Sequence, residues 1–347
     1  LERIEKFAPK ASIITPDAID KIVDAVIRTI NGEKVIVDSE KKEKVLLPTI
    51  PLNKIISIVQ ISSGCLSACT FCETRIAKGI LKSYRPSSII ERIKRDVKSG
   101  FKEFWITSQD NGCYGLDIGT NLVELLNAIT NIDGNFFIRV GMMNPIHLIK
   151  RKGLLEGLVQ VFKNDKIFKF LHIPIQSGSN KVLKDMNRGY TVEEFLEVVD
   201  VFIKEIPDIT IETDIIVGYP TETEEDFEET IRLLSVLEPD VVNISRFFPR
   251  PKTPAEKLKQ LPIEIVNERS RKAYNLVRKI ALKKNEKYRG KYLSVLVDEV
   301  GKGNSYIGRT TNYKPVIIKT DENVLEKILN VKIIDVKSNF LVGEVEI

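Results

Sequence analysis

Three of the four cysteines in this chain of 347 residues lie close together, at Cys65, Cys69 and Cys72. Three residues separate the first two and two residues separate the next pair, so a loop of this kind directs three thiolates at three corners of a cubic cluster. A ferredoxin-type 4Fe–4S cluster takes four cysteine ligands and has no open iron. With three ligands, one iron is free to chelate the amino and carboxylate groups of S-adenosylmethionine. The triplet therefore predicts a 4Fe–4S cluster at which this cofactor is reductively cleaved to a 5′-deoxyadenosyl radical.

Two other interpretations of the triplet stay open from the residues alone: a zinc site, or three cysteines buried in a core. Zinc prefers a fourth protein ligand, and the two histidines, His147 and His172, lie far from the triplet in sequence. Packing in a core would not require cysteines to have this spacing directly after a predicted strand. The fourth cysteine, Cys113, is predicted to be a buried free thiol.

The composition sets the class of protein that holds this site. A length of 347 residues predicts one large domain plus a small one, and the 43% hydrophobic content is enough to bury such a core. Four cysteines in this length do not make a disulfide framework. The net charge of +5 permits a polyanionic partner without requiring one. Because no apolar run reaches about 18 residues and no signal segment opens the chain, we expect a cytoplasmic protein without a membrane partner.

Short β-rich runs alternate with helical patterns between residues 55 and 248. Neighbouring parallel strands need a crossover connection, so this alternation predicts an α/β fold. Six units are too few for a closed eight-unit barrel, and we predict a partial (βα)6 barrel with its site at the carboxyl ends of the strands. The triplet directly follows the first run. The six runs are residues 55–62, 104–108, 136–143, 168–176, 210–219 and 241–248.

Beyond Pro262 the pattern changes to a long helix that ends near Lys287, and then to alternation with period two. The second pattern predicts a small C-terminal all-β barrel over residues 288–347. Residues 269–291 contain ten basic residues and one acidic residue, Glu286. Because basic groups bind phosphates and strand aromatics stack on exposed bases, we expect an RNA-binding surface here; a solvated helix face is the alternative. The barrel residues assigned to this surface are Lys302, Tyr306, Arg309, Tyr313, Lys314 and Lys319.

Four further motifs follow the triplet, at residues 171–179, 187–191, 213–220 and 248–255. With these motifs the chain resembles the radical S-adenosylmethionine methylthiotransferases, which add a methylthio group to tRNA or to a ribosomal protein. Residues 105–110 and 114–122 are most similar to the archaeal and eukaryotic branch, which modifies carbon 2 of N6-threonylcarbamoyladenosine beside the anticodon. The resemblance implies a radical-SAM barrel over residues 51–287 followed by a TRAM-like RNA-binding barrel. It also implies the tRNA anticodon loop as partner and a ferredoxin or flavodoxin as electron donor.

The resemblance implies roles for residues around the cluster. Phe71, just before the third cysteine, is expected to face the adenine of the cofactor, although a packing role would also explain it. Gln109 and Asp110, after the second strand, would meet the methionine end of the cofactor or the transferred sulfur. Arg139, after the third strand, would meet a carboxylate.

Four residues on the later strands are expected to line the adenosyl pocket. Gln176 and Ser177 follow the fourth strand, and Asp214 and Gly218 lie along the fifth. Each also has an ordinary structural interpretation, because strand-end polar residues are usually satisfied within loops or at helix caps.

The N-terminal region departs from the family pattern. Family members carry an N-terminal domain whose own three cysteines hold a second 4Fe–4S cluster, the sulfur donor. Residues 1–50 are predicted to be the remnant of that domain and a linker, so this chain alone would cleave the cofactor without inserting sulfur. Two alternatives remain open: another radical-SAM modifier of RNA or ribosomal protein, complete without a further domain, and a non-enzymatic RNA-binding protein with a structural metal.

Overall fold

The computed structural model describes residues 2–345 and divides the chain into two compact units, Leu1–Ile50 and Pro51–Ile347. The first unit contains helix α1 (Glu2–Phe7), a parallel pair of strands, β1 (Ile13–Ile14) and β2 (Ile36–Val37), and helix α2 (Ile22–Ile30). Apolar residues at positions 19, 23, 26, 27 and 30 predict an amphipathic helix, which is confirmed from Ile22 onward. A 3-10 helix, Pro16–Lys21, precedes α2, and Ala18 within it has non-helical backbone angles.

Six parallel strands in the second unit confirm the predicted partial (βα)6 barrel. They form two three-stranded sheets in the chain order first-second-third and fourth-fifth-sixth, and a 3.0 Å hydrogen bond from the Phe168 amide to the Ile138 carbonyl joins the sheets. A short antiparallel pair, β4 with β5, flanks the cysteine triplet. The strands are β3 (Ile56–Gln60), β4 (Ser62–Ser63), β5 (Lys82–Ser83), β6 (Glu103–Thr107), β7 (Phe137–Val140), β8 (Phe170–His172), β9 (Thr210–Val217) and β10 (Val241–Arg246).

The fourth predicted run, residues 168–176, is shorter than expected. Its ladder ends at His172 and resumes only as a single bridge between Gln176 and Ile215. Pro174 lies between these points and has no N–H to donate to a ladder. Beyond the interruption, Gln176 has a φ of +81°, a left-handed conformation that is uncommon for a residue with a side chain.

The helices connect successive strands, and their ends follow sequence signals. Helices α9 and α10 each begin with a capping box, formed by Thr191 with Glu194 and by Thr223 with Asp226. The helices before residue 240 are α3 (Thr74–Lys78), α4 (Pro86–Lys98), α5 (Leu122–Thr130), α6 (Pro145–Lys150), α7 (Leu154–Phe162), α8 (Asn180–Asp185), α9 (Val192–Glu205) and α10 (Glu224–Leu237). Within residues 2–345, no helix combines the length and the hydropathy needed to cross a membrane.

The C-terminal region contains the predicted long helix, α11 (Ile263–Glu286), and a closed β-barrel. Strand patterns at residues 292–297, 315–318, 331–336 and 340–347 predict four of its five strands, and the prediction lacks the remaining strand, β12 (Ser305–Thr310). That strand places Gly308 where a Cβ atom would lie 2.4 Å from Cγ1 of Val295, so the barrel needs a glycine where a strand pattern would have an apolar side chain. The strands are β11 (Tyr292–Val300), β12 (Ser305–Thr310), β13 (Pro315–Lys319), β14 (Ile328–Val336) and β15 (Leu341–Val345).

The C-terminal barrel packs on the core through residues that had been assigned to an RNA surface. The ring of Tyr313 lies 4.8 Å from Phe168, and its hydroxyl donates to Oε1 of Glu103 at 2.8 Å. Lys314 is 4% exposed and pairs with Asp240 at 2.8 Å. The prediction that Tyr313 and Lys314 contact RNA was therefore wrong, because the structure uses both to dock the barrel.

Helix α11 also uses much of its positive charge within the protein. Six of the ten basic side chains of residues 269–291 form ion pairs with carboxylates: Arg269, Lys272, Lys283, Lys284, Lys287 and Arg289. The four others, Arg271, Arg278, Lys279 and Lys291, are exposed. The basic run is thus partly a docking surface and partly a solvent-facing one.

Candidate active site

The cysteine triplet lies on a loop between β4 and α3, at the carboxyl end of the first barrel strand. All three thiols are free and partly exposed. The backbone amide of Ser67 donates to Sγ of Cys65 at 3.3 Å, and that of Thr74 donates to Sγ of Cys72 at 3.4 Å. Donors aimed at sulfur stabilise the thiolate form, which is the form that binds iron. The loop chemistry therefore fits an anionic iron–sulfur cluster.

Hydrogen bonds with other segments hold this loop at both ends. The amide of Gly64 donates to Oε1 of Gln109 at 2.8 Å, so Gln109 supports the start of the loop. The Thr70 hydroxyl donates to the Asp185 carbonyl at 2.9 Å, and the Thr70 amide donates to the Met186 carbonyl at 3.1 Å. The loop is thus fixed by β6 on one side and by the end of α8 on the other.

Asp110 is 1% exposed and uses both carboxylate oxygens. Its Oδ1 accepts the amides of Gly112 and Asn144, each at 3.0 Å, and its Oδ2 lies 3.0 Å from Nε2 of His147. Burial, followed by the negative charge of Asp110, raises the pKa of the Cys65 thiol even though the Ser67 amide opposes that rise. Asn144 links Asp110 to the cysteine loop, because its amide donates to Asp110 and its Nδ2 donates to the Ser67 hydroxyl. The position agrees with a site role, although its contacts also explain Asp110 as a structural residue.

Cys113 is a buried free thiol, as the sequence indicated. Its Sγ donates to the Asp110 carbonyl at 3.1 Å, and burial raises the pKa of the thiol.

Three of the predicted cofactor-binding residues line one cavity of about 360 Å³ beside the third cysteine: Phe71, Gln176 and Asp214. Phe71 packs against the buried cluster that contains Met186 and Tyr219. The Gln176 amide donates to the Asp214 carbonyl at 2.8 Å, which sets the two residues side by side. This cavity has the aromatic, amide and carboxylate groups that an adenosine would need.

Below Asp214, polar side chains continue into the barrel. Nε2 of His172 lies 3.2 Å from Oδ1 of Asp214, and Nδ2 of Asn243 donates to the same oxygen at 2.7 Å. His172, Glu212 and Asp214 form a group whose ligand atoms lie within 4.8 Å of one another, a geometry that could hold a metal ion. Asp214 is therefore part of an interior network as well as of the cavity wall.

The other predicted residues lie elsewhere. Arg139 is within β7, with its guanidinium 4.7 Å from the Phe170 ring and 3.7 Å from Oε2 of Glu212. Ser177 is fully buried and its hydroxyl accepts the Ser179 amide at 3.2 Å. These contacts are internal to the protein, and the cofactor roles of Arg139 and Ser177 stay predictions.

Gly218 has a packing reason to be glycine. Its φ is +78°, and a Cβ atom would lie 2.5 Å from Cγ2 of Val266 in α11. Its amide donates to Oε2 of Glu222 at 2.8 Å. A role in the adenosyl pocket stays a prediction.

Arg188 and Asn144 received no site role from the sequence, yet both side chains contact the cysteine loop. Nη1 of Arg188 donates to Sγ of Cys69 at 3.3 Å, and Nδ2 of Asn144 donates to the Ser67 hydroxyl at 2.9 Å. Arg188 lies in one of the recognised motifs, which was the available signal. Asn144 has no distinctive neighbours in the sequence.

Comparison with known proteins agrees with this geometry. Residues 59–234 match the Radical SAM superfamily, and residues 286–345 match the TRAM domain. The fold and the sequence therefore define a radical S-adenosylmethionine enzyme, a class that uses a 4Fe–4S cluster and S-adenosylmethionine. The chain belongs to the threonylcarbamoyladenosine tRNA methylthiotransferase family.

Archaeal relatives show this membership, and eukaryotic proteins match as well. The chain is 44% identical over 339 residues to the probable threonylcarbamoyladenosine tRNA methylthiotransferase of Pyrococcus abyssi, covering 96% of this chain and 79% of the relative. It is 37% identical over 348 residues to the Drosophila melanogaster enzyme, covering 96% of this chain and 62% of the relative. Among solved structures, methylornithine synthase is 16% identical with a TM-score of 0.48, over 65% of this chain and 62% of that one.

Proposed function

We propose that this chain is the radical-generating core of a tRNA methylthiotransferase that acts on carbon 2 of N6-threonylcarbamoyladenosine, with Cys65, Cys69 and Cys72 as cluster ligands. The carrying observation is the cysteine loop at the carboxyl end of β3, with amide and guanidinium donors aimed at its sulfurs. When bound, the cluster and S-adenosylmethionine supply the 5′-deoxyadenosyl radical. The similarity to threonylcarbamoyladenosine tRNA methylthiotransferases supports the substrate assignment.

The residues around the loop bind and position the cofactor in this proposal. Phe71, Gln176 and Asp214 hold the adenosyl group in the 360 Å³ cavity. Gln109 keeps the start of the loop in place through the Gly64 amide. Asp110, held by His147 and two amides, faces the methionine end.

The remaining predicted residues act through the residues beside them. Arg139 neutralises Glu212 at the base of the interior network. Ser177 shapes the turn after Gln176, and Gly218 lets α11 approach the end of β9.

The tRNA partner, specifically its anticodon loop, contacts the exposed side of α11 and the C-terminal barrel. A groove of about 390 Å³ lies between them, lined by Arg278, Lys279 and Lys337 among others. Tyr274 is 53% exposed and lies 5.7 Å from the Arg278 guanidinium, an arrangement that suits base stacking beside a phosphate. A ferredoxin or flavodoxin supplies the electron, and the reaction takes place in the cytoplasm.

In this proposal, sulfur insertion needs a second 4Fe–4S cluster in addition to the one held by the triplet. The compact unit Leu1–Ile50 contains a parallel strand pair and a helix, and its sequence has no cysteine that could bind such a cluster.

Anaerobic reconstitution tests the proposal. The wild-type chain should bind four irons and, with a reductant, should release 5′-deoxyadenosine from S-adenosylmethionine, whereas Cys69→Ala should lose both properties. Cys113→Ala is the matched control, because this thiol is buried and points at the Asp110 carbonyl. Zinc binding without deoxyadenosine release would instead favour an RNA-binding protein with a structural metal. Deoxyadenosine release by Cys69→Ala would contradict the ligand assignment.

A further inference from the structure

The segment between α8 and α9 places a buried arginine against the cysteine loop. Arg188 is 6% exposed, and its Nη1 donates to Sγ of Cys69 at 3.3 Å. Its Nη2 donates to Oδ1 of Asn144 at 3.0 Å and to the Pro174 carbonyl at 2.9 Å, and its Nε donates to the Tyr190 hydroxyl at 2.9 Å. Every guanidinium nitrogen thus has an acceptor, so the charged group is fixed in position.

Among the described hydrogen-bond partners of Arg188, only the sulfur of Cys69 can carry a negative charge that balances the guanidinium. In the described part of the chain its hydrogen bonds reach an amide oxygen, a backbone carbonyl, a hydroxyl and the Cys69 sulfur, and none of these partners is a carboxylate. A buried cation is costly unless an anion lies beside it. When Cys69 binds iron, it does so as a thiolate, and this sulfur is the anion beside Arg188.

The same segment holds the backbone of the loop around Cys69. Nδ2 of Asn187 donates to the Ala68 carbonyl at 2.9 Å, and the Met186 carbonyl accepts the Thr70 amide at 3.1 Å. The residues on both sides of Cys69 are therefore tied to the segment that carries Arg188. The distance between the guanidinium and the sulfur is set by several bonds, not by one flexible side chain.

We propose that Arg188 is a positioning residue that raises the reduction potential of the cluster bound through Cys69; this rests on the ligand assignment proposed above. Reduction adds one electron from an external donor to an already anionic cluster, and a fixed cation at a ligand sulfur stabilises that added charge. Net charge and hydrogen bonds to the sulfurs are what set such potentials. The guanidinium therefore makes the electron transfer that precedes cofactor cleavage more favourable.

Two neutralising variants test the role of the charge. Arg188→Gln removes the cation and keeps an amide donor. Asn144→Asp leaves Arg188 in place and offers it a carboxylate of the same shape, since Oδ1 of Asn144 already accepts from Nη2. If Arg188→Gln fails to fold, Asn144→Asp still answers the question.

Two control variants separate charge from shape. Arg188→Lys keeps the cation near the sulfur. Asn187→Gly removes the bond to the Ala68 carbonyl while tolerating the backbone φ of +57° at this position.

The midpoint potential of each reconstituted chain is measured by a dithionite titration followed by electron paramagnetic resonance, with iron counted per chain. Both neutralising variants should lower the reduction equilibrium constant at least tenfold, which is about 59 mV for a one-electron couple. Both control variants should stay within half of that shift.

The potentials and the iron content distinguish two failures. Four irons per chain with an unchanged potential in Asn144→Asp, or an equal shift in Arg188→Lys and Arg188→Gln, would overturn the role of the charge and leave the proposed function intact. Failure of the wild-type chain to bind iron would overturn both.

Discussion

Replacing Arg269 by methionine should strongly destabilise the attachment of α11 to the barrel. Arg269 is 5% exposed, and its Nη1 lies 2.7 Å from Oε2 of Glu222. Glu222 is 3% exposed, and burial raises its pKa even though Arg269 and the Gly218 amide oppose that rise. Without the arginine, a buried carboxylate keeps only the amide as partner. Removing one member of such a pair typically costs about 3–5 kcal/mol of unfolding free energy.

The double variant Arg269→Met with Glu222→Gln should lose far less, about 1 kcal/mol, because the amide side chain needs no counter-charge and still accepts from Gly218. Lys272→Met is the matched control on the same helix: its ion pair with Glu228 is at the surface, where loss costs about 0–1 kcal/mol. Urea unfolding followed by circular dichroism measures all three.

The pH dependence of the single variant gives a second measurement. Glu222 that lacks Arg269 is destabilising only when ionised, so the deficit of Arg269→Met should be smaller at pH 5 than at pH 8. A loss below about 1 kcal/mol in the single variant, or a double variant as unstable as the single one, would refute the argument.

Two further perturbations address the C-terminal barrel. Burial raises the pKa of Asp298 to about 8, although Arg309 lies 3.1 Å away, so the folded state keeps a proton that the unfolded chain releases near pH 4. The free energy of unfolding should therefore fall as the pH rises from about 4 to about 8. Asp298→Asn should flatten that dependence, which urea unfolding at several pH values measures. An equally steep slope in the variant would contradict the role of Asp298. Reversing the exposed charges Arg278 and Lys279 to glutamate should weaken tRNA binding and reduce the slope of log affinity against log salt by about 1 per lost phosphate contact. Lys272→Glu is the control in a filter-binding assay, and an equal loss there would show that only net charge matters.

The six-stranded barrel and the cysteine loop could be predicted because their signals are local. The barrel strands coincide with short runs rich in apolar, aromatic and β-branched residues, and the spacing of the triplet lies within eight consecutive positions. Strand β12 could not be predicted, because its Gly308 is required by the close approach of Val295, whereas glycine has a low strand propensity.

Residue roles were harder to predict than elements, because they depend on contacts between distant segments. Phe71, Gln176 and Asp214 meet at one cavity because parallel strands bring their carboxyl ends together. Arg188 reaches Cys69 across 119 positions of sequence, and no spacing rule connects the two. The sequence predicts Tyr313 and Lys314 as surface residues of a basic segment. Their partners, Glu103 and Asp240, lie instead in the six-stranded barrel domain.

The docking of the C-terminal barrel through Tyr313 and Lys314 fixes the distance between the barrel and the radical site. Swinging the barrel away would expose the Phe168 contact and leave the buried Asp240 without Lys314, so the barrel and the radical site keep a constant separation. In the proposed function, an RNA bound by the barrel presents to the radical site only a nucleotide at that fixed distance. A different RNA-binding domain grafted onto this core would therefore need the same two docking contacts to keep that distance.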